Sequence, residues 1–243
     1  MLFSLLNGGL TVESAIINII AILAVVFLML PIHEYAHAGA AYLLGDKSIK
    51  YRGRLTFNPL AHVDPIGALC LLLFGFGWAK PVPIDPRNFK NPKTGMALTA
   101  LAGPLSNLVC AFLSGTLIYG ILQFAPIELF QYIYGYSDGS TLAVVLWYVL
   151  IFLYNFLAIN VSLAVFNLIP LPPLDGSKIL FAFLPDSAIG FIYKIQRYSF
   201  ILIYAVIFLL ARSGLLNVID NFFINLCLYG NSFSELIFKA AVA

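Results

Sequence analysis

Three ionisable side chains lie close together in a hydrophobic part of the sequence: His33, Glu34 and His37. On a helix, residues four positions apart share a face, so both imidazoles could point at one ion with the carboxylate beside it. This is the His-Glu-x-x-His pattern, in which two histidines bind zinc and the glutamate activates a water molecule. The alternative is a set of polar residues at the end of a membrane helix. Ionisable groups at membrane depth are costly and usually mark function, so the pattern favours a zinc site.

A catalytic zinc site needs a third protein ligand and keeps one position for water. Asp175 is the best acidic candidate, because it lies between long apolar runs and three prolines unwind the backbone just before it. Its alternative role, which is compatible with the first, is to cap the helix that follows at Ser177. His62 could be the third ligand instead, or a loop histidine that faces water. We prefer His62 as a hydrogen-bond donor to the reacting oxyanion.

The composition indicates a membrane protein. Of 243 residues, 61% are hydrophobic and 10% are charged, which no ordinary soluble domain matches. Several segments exceed the roughly 18 apolar residues that can span a bilayer. A net charge of +2 is too small to indicate nucleic-acid binding. The three cysteines lie in apolar surroundings and fit neither disulfide nor metal spacing.

The apolar segments predict an all-α polytopic membrane protein with about five to six transmembrane helices. The first helix runs from Val12 to Leu44 and is kinked at Pro31, with Gly45 as its stop. The later helices are predicted at Thr94 to Phe124, Thr141 to Ile169, Ser177 to Leu184, about Ile189 to Leu210 and, as a last apolar stretch, Leu215 to Tyr229. With no linker or internal repeat in view, residues 1–243 form one predicted domain.

Two segments depart from this helical pattern. Ser48 to Phe57 alternates polar and apolar residues around Gly53, which predicts a short membrane-associated β-hairpin. Ile66 to Phe76 is too short to span a bilayer and is basic on both sides, which predicts a re-entrant segment that begins and ends on one face. A polar patch within the next span, which includes Asn107, is expected to face the protein interior.

The basic residues predict the orientation in the membrane. Eight of the thirteen lysines and arginines lie between Lys47 and Lys93, and none precedes Lys47. The loop from Ala125 to Ser140 holds acidic residues and no basic one. By the positive-inside rule, residues 47–93 are cytoplasmic and the N-terminus is outside. A cleavable signal peptide is not expected, because the chain lacks a positive start.

Four motifs, in this order along the chain, resemble the site-2 protease family of intramembrane zinc metalloproteases. They are His33 to His37, Asn58 to Gly67, Gly103 to Asn107 and Asn167 to Gly176. The resemblance covers roughly residues 15–185 and leaves C-terminal helices at 186–243. Many family members carry a PDZ domain or a regulatory nucleotide-binding module, and neither is visible here. The resemblance therefore implies a minimal catalytic core.

The resemblance also implies roles for individual residues. Glu34 would be the general base, and His62 and Asn167 would lie close to the metal. One Zn²⁺ per chain would have three ligands: His33, His37 and Asp175. The implied activity is a zinc-dependent intramembrane endopeptidase.

Its expected substrates are the transmembrane segments of other proteins in the cell (plasma) membrane. The lipid bilayer is the other expected partner, nucleic acid is not expected, and nothing in the sequence indicates an oligomeric state. The alternative is a metal or ion transporter that uses the same residues as a transport site. The absence of visible inverted repeats disfavours a transporter.

Overall fold

The computed structural model describes residues 23–74, 78–185 and 212–242, with a few single positions outside these ranges. The described residues are mostly helical and form no sheet, although Val63 and Ala79 make an isolated antiparallel bridge. A π-helical turn (Val25–Met29) leads into the first helix, and a 3-10 turn (Pro86–Asn88) precedes the longest one. In chain order the helices are α1 (Leu30–Leu43), α2 (Ser48–Tyr51), α3 (Pro59–His62), α4 (Pro65–Phe74), α5 (Pro92–Gln123), α6 (Ile127–Ile133), α7 (Thr141–Asn167), α8 (Asp175–Phe181), α9 (Leu215–Cys227) and α10 (Phe233–Val242).

Helices α5 and α7 are long and apolar enough to cross a membrane. They have 32 and 27 residues, with mean hydropathies of 1.7 and 2.4. At 1.5 Å per residue each is longer than the hydrocarbon core of about 30 Å. They pack on each other through fully buried side chains such as Ile118 of α5 and Leu150 of α7. This confirms the helices predicted at residues 94–124 and 141–169, both of which could span a membrane.

The total of five to six spans is not tested, because two predicted segments lie largely outside the described residues. These are the start of the first helix at Val12 and the span from Ile189 to Leu210. Where α1 is described, it agrees with the prediction. It ends at Leu43, and Gly45 follows with a φ of 124°, a conformation that favours glycine. The π-helical turn ends two residues before Pro31 and interrupts the regular helix close to the predicted kink.

The hairpin predicted at Ser48 to Phe57 does not form. Ser48–Tyr51 is a single helical turn, and Gly53 reverses the chain with a φ of 66°. The cause is Asp46, whose Oδ1 accepts hydrogen bonds from the backbone N–H of Ser48 at 3.2 Å and from its hydroxyl at 2.6 Å. Such local bonds from a side chain start a helical turn and compete with strand pairing.

Helix α4 has ten residues and is about 15 Å long, too short to span a bilayer. Asp64 caps it by accepting hydrogen bonds from the backbone N–H groups of Ile66 and Gly67. After the helix the chain returns to its starting point, since the Lys80 N–H donates to the carbonyl of His62 at 2.7 Å. The two ends of the segment therefore meet, as a re-entrant segment requires.

The C-terminal helices pack on the long pair. Helix α9 runs antiparallel to α7, and its end approaches α5 so closely that a Cβ on Gly115 would collide with the carbonyl of Cys227. At the other end of the long pair, α1 packs on the first half of α5, and α8 packs there too. The candidate site residues meet at that end.

Candidate metal centre

Helix α1 carries His33 and His37 on one face, as their spacing predicts. Both rings are buried, with 6% and 5% of their surface exposed, and lie nearly perpendicular at a centroid distance of 4.6 Å. Their Nε2 atoms are 3.1 Å apart. The two imidazoles therefore direct equivalent nitrogens at one point.

Asp175 reaches the same point from a position 138 residues further along the chain than His37. Its Oδ2 lies 3.1 Å from Nε2 of His37 and 3.4 Å from Nε2 of His33. Its Oδ1 accepts a hydrogen bond from Lys178 Nζ at 3.0 Å. Both oxygens are thus engaged with side chains, and the carboxylate does not cap α8, which is the alternative role considered from the sequence.

These three atoms fit a zinc ion in size and chemistry. Zinc binds nitrogen and oxygen at about 2.0–2.1 Å in a tetrahedron, which places neighbouring ligand atoms about 3.3 Å apart. The three separations here are 3.1, 3.1 and 3.4 Å. Two histidines and one carboxylate are also a known donor set of catalytic zinc, which leaves a fourth position for water.

The hydrogen bonds of the histidines fix where their protons lie. The Nδ1 atom of His37 is 2.7 Å from the carbonyl oxygen of Thr99. A carbonyl only accepts, so this Nδ1 carries the proton and Nε2 presents a lone pair. The Nδ1 atom of His33 is likewise 2.5 Å from Oδ1 of Asn107. Three electron-pair donors thus face one another in a buried place, an arrangement that a cation stabilises.

A glycine of α5 makes room for this cluster. A Cβ on Gly103 would come within 3.0 Å of both rings, at 2.6 Å from Cε1 of His33. Only a residue without a side chain lets α5 approach α1 this closely. In the sequence Gly103 stands out only as part of the motif from Gly103 to Asn107, because glycines in long helices usually indicate packing.

Glu34 lies beside the three donors but is not one of them. Its side chain is 8% exposed, and its Oε2 accepts a hydrogen bond from the Val82 N–H at 3.2 Å. The segment that supplies Val82 is tied down at both ends: Lys80 bonds to His62, and the Asp85 N–H donates to Oδ2 of Asp46 at 2.8 Å. The carboxylate of Glu34 is therefore held in one orientation.

His62 and Asn167 make no recorded hydrogen bond to the three donors. His62 is fully buried, and its Nε2 bonds to the carbonyl of Thr56 at 2.8 Å. Its Nδ1 is buried and has no hydrogen-bond partner among the described residues. Asn167, at the end of α7, donates from Nδ2 to the carbonyl of Leu163 at 3.0 Å. His62 is also absent from the group of metal-binding atoms that lie within 4.8 Å of one another, so the geometry does not favour a three-histidine site.

Comparison with known proteins agrees with this geometry. The model of the family described as "Peptidase family M50" matches residues 20–211. The protein named "Putative zinc metalloprotease YwhC" of Bacillus subtilis is 37% identical over 176 residues, which are 72% of this chain and 74% of that protein. "Putative zinc metalloprotease Rip2" of Mycolicibacterium smegmatis is 30% identical over 162 residues, which are 65% of this chain and 54% of that protein.

A protein of the same name from Mycobacterium tuberculosis is 31% identical over 150 residues and is covered over 50% of its length. The chain thus spans about three quarters of the Bacillus relative and about half of the mycobacterial ones. No solved structure matches the chain significantly.

Proposed function

The chain belongs to peptidase family M50 and is a membrane-associated zinc metalloprotease, and from this premise we propose that it cleaves the transmembrane segments of other membrane proteins. The observation that carries the proposal is the convergence of two imidazoles and one carboxylate from distant parts of the chain, with Glu34 held beside them. The donors belong to helices that pack on a long apolar helix, α5. A peptide bond cleaved there would lie within the membrane.

In this proposal one zinc ion is held by His33, His37 and Asp175. When bound, zinc lowers the pKa of its water toward neutrality and polarises a carbonyl group. Glu34 takes the proton from the attacking water and later passes it to the leaving amine. The hydrogen bond from Val82 engages Oε2 and leaves Oε1 as the atom that receives the proton.

The oxyanion that develops during attack needs a hydrogen-bond donor. His62 is a poorer candidate than its residue type suggests. Its one N–H already donates to Thr56, and the remaining Nδ1 of a neutral ring only accepts. The Asn167 amide has two N–H groups and uses one of them on Leu163. We therefore assign the donor role to Asn167 and a supporting role to His62.

A substrate helix must unwind before attack, because its amides are paired internally. The segment from Ala79 to Asp85 is suited to receive the unwound strand by backbone pairing. Pro81 and Pro83 have no N–H, and the N–H of Val82 is used within the protein. This segment therefore offers mainly carbonyl groups, which would accept hydrogen bonds from the N–H groups of the substrate.

We further propose that the protein crosses the plasma membrane several times as a single domain of residues 1–243. Its catalytic core covers about residues 15–185 and is followed by helices at 186–243. The N-terminus is outside, and residues 47–93 are cytoplasmic, as the distribution of basic residues indicates. Water then enters the site from the cytoplasmic side.

The test compares wild type with Glu34→Gln, which keeps the size of the side chain and removes the base. Both proteins are purified in detergent, their bound zinc is measured, and cleavage of a model transmembrane substrate is followed with and without a chelator. We expect about one zinc per chain in both proteins and cleavage only in wild type without chelator. Full activity of Glu34→Gln would refute the general-base role.

Membership of a peptidase family does not favour the transporter alternative. Zinc flux into liposomes that is unchanged in Glu34→Gln would revive it.

A further inference from the structure

A line of hydrogen bonds leads from the metal centre into the middle of α7. The Nδ1 of His33 lies 2.5 Å from Oδ1 of Asn107, and Nδ2 of Asn107 donates to Oδ1 of Asn160 at 2.9 Å. Nδ2 of Asn160 in turn donates to the backbone carbonyl of Phe156 at 2.8 Å. Asn107 and Asn160 are 1% and 0% exposed, so water has little access to either amide. We call this line the asparagine relay.

The hydrogen bonds of the asparagine relay can donate in only one direction, which is determined by the carbonyl of Phe156 at the end far from the metal centre. The carbonyl of Phe156 can only accept, so Asn160 must turn its amide nitrogen toward it. The oxygen of Asn160 is then the atom that faces Asn107, which must present its own nitrogen. The oxygen of Asn107 is left for His33, whose Nδ1 must carry the proton. The carbonyl of Phe156 thus fixes the orientation of the Asn160 amide, and Asn160 fixes that of Asn107. An asparagine without these partners would have no preferred amide orientation.

From this geometry we infer that Asn160 is a positioning residue for zinc binding, acting through Asn107 to keep the proton of His33 on Nδ1 and the lone pair of Nε2 free for the metal. The inference rests on the proposed zinc site. It gives a role to a residue outside the His-Glu-x-x-His pattern and outside the segment that carries Asp175. Asn160 makes no hydrogen bond to the three donor atoms, and its link to them is the hydrogen bond with Asn107.

The effect of removing Asn160 follows from the same reasoning. In Asn160→Leu the nitrogen of Asn107 loses its partner in a buried place, which is unfavourable. Turning the Asn107 amide over would place that nitrogen against Nδ1 of His33. The histidine would then accept there and carry its proton on Nε2, the atom needed by the metal. Outer hydrogen-bond partners of metal ligands typically contribute 10- to 100-fold to metal affinity.

The chain provides a matched control on the same helix. Asn155 also donates from Nδ2 to the carbonyl four residues before it, that of Ile151, at 2.9 Å. Among the described residues it makes no hydrogen bond with Asn107 or with the donor atoms. Asn155→Leu removes the same kind of hydrogen bond from the same helix, so it reports the purely structural effect of this substitution.

A second control uses a carboxylate in place of the Asn107 amide. In Asn107→Asp both oxygens accept, so the side chain cannot present a donor to His33 whichever way it turns. If Asn160 acts through the orientation of Asn107, then Asn160→Leu has no further effect in the Asn107→Asp background. If Asn160 acts through packing, its effect is the same in both backgrounds, as for independent sites.

The experiment measures zinc affinity by competition with a chelating indicator, using the full chain in detergent. The variants are Asn160→Leu, Asn155→Leu, Asn107→Asp and the double variant Asn107→Asp/Asn160→Leu. The proton position of His33 is read separately, from the ¹⁵N shifts of labelled histidine in the zinc-free protein. Thermal unfolding shows that each variant is folded. Asn160→Asp is added as a rescue, since a carboxyl oxygen can accept from Nδ2 of Asn107 as Oδ1 of Asn160 does.

We expect Asn160→Leu to weaken zinc binding 10- to 100-fold and to move the His33 proton to Nε2. Asn155→Leu should change neither quantity, Asn160→Asp should restore both, and the double variant should equal Asn107→Asp. Equal zinc affinity in Asn160→Leu and wild type would overturn the inference, and so would equal losses in both backgrounds. If wild type itself binds no zinc, the proposed function fails instead, which is a different result.

Discussion

Gly103 offers a direct test of how closely the metal centre is packed. In Gly103→Ala the added Cβ would lie within 3.0 Å of both histidine rings, at 2.6 Å from Cε1 of His33. Carbon atoms in contact prefer about 3.5–4.0 Å, so the rings or α5 must move by roughly 1 Å. Overpacking of this kind typically costs about 1–3 kcal/mol. If that strain is relieved by displacing the ligands, zinc binding weakens by roughly 5- to 150-fold.

Two other glycines of the same helix separate this effect from general ones. A Cβ on Gly120 meets nothing within 4 Å, so Gly120→Ala should leave zinc affinity unchanged and slightly raise stability, because alanine favours a helix by about 0.8–1.0 kcal/mol over glycine. A Cβ on Gly115 would meet the backbone carbonyl of Cys227, far from the histidines. Gly115→Ala should therefore lower the unfolding temperature while the folded protein keeps its zinc affinity.

The assay is zinc competition and thermal unfolding of the three alanine variants in detergent, measured side by side. The expected result is that only Gly103→Ala loses zinc affinity while remaining folded. Wild-type affinity in Gly103→Ala would refute the reasoning, because α5 would then have enough freedom to accommodate a side chain at the centre. Loss of affinity in Gly115→Ala would show that packing anywhere along α5 is transmitted to the site.

Two further predictions concern charged groups around the site. Lys178→Met removes the hydrogen bond that holds Oδ1 of Asp175, so zinc affinity should fall, whereas Lys178→Arg should retain most of that affinity. Equal zinc affinity in wild type and both variants would contradict this prediction. Burial raises the pKa of Asp46, but hydrogen bonds, led by that from the Asp85 N–H, outweigh it and lower the pKa below 3.8. A lowered pKa in the folded state means that Asp46 stabilises the fold above about pH 4 and loses this effect as the pH falls through its folded-state pKa. Asp46→Asn should therefore lower the free energy of unfolding by about 1.5–3 kcal/mol at neutral pH, as measured by chemical unfolding. The difference from wild type should shrink in acid. A difference that is independent of pH would contradict the pKa argument.

The parts of the fold that could be predicted are those with a strong local signal. Long apolar runs gave α5 and α7, and the four-residue spacing of His33 and His37 put both on one face. The prediction of a hairpin was wrong because the alternation of polar and apolar residues does not include the effect of Asp46. This residue starts a helical turn through its own hydrogen bonds. The local hydrogen bonds of Asp46 therefore outweighed the tendency of the alternating residues to form strands.

The candidate site was predictable only where residue type reveals chemistry. Asp175 stood out because a carboxylate between prolines and apolar runs is unusual. Gly103 belongs to one of the four motifs, but the motif does not reveal its close contact with the two histidine rings. The contribution of Thr99 is a backbone carbonyl, which leaves no trace in the sequence. Asn160 was visible as a polar residue in a span, but its partner is 53 residues away, and only the packing of α5 on α7 brings the two together.

The contacts between α1 and α5 have a consequence for the working enzyme. The two helices run in opposite directions, with His37 opposite Thr99 and His33 opposite Asn107. The two contacts are about one turn apart on α1 and about two turns apart on α5, so both form only at one position of α1 along α5. If one helix slid along the other, both histidines would lose their Nδ1 partners at once, and the three donor atoms would no longer face one point. Metal binding and the alignment of α1 with α5 are therefore a single property of the fold.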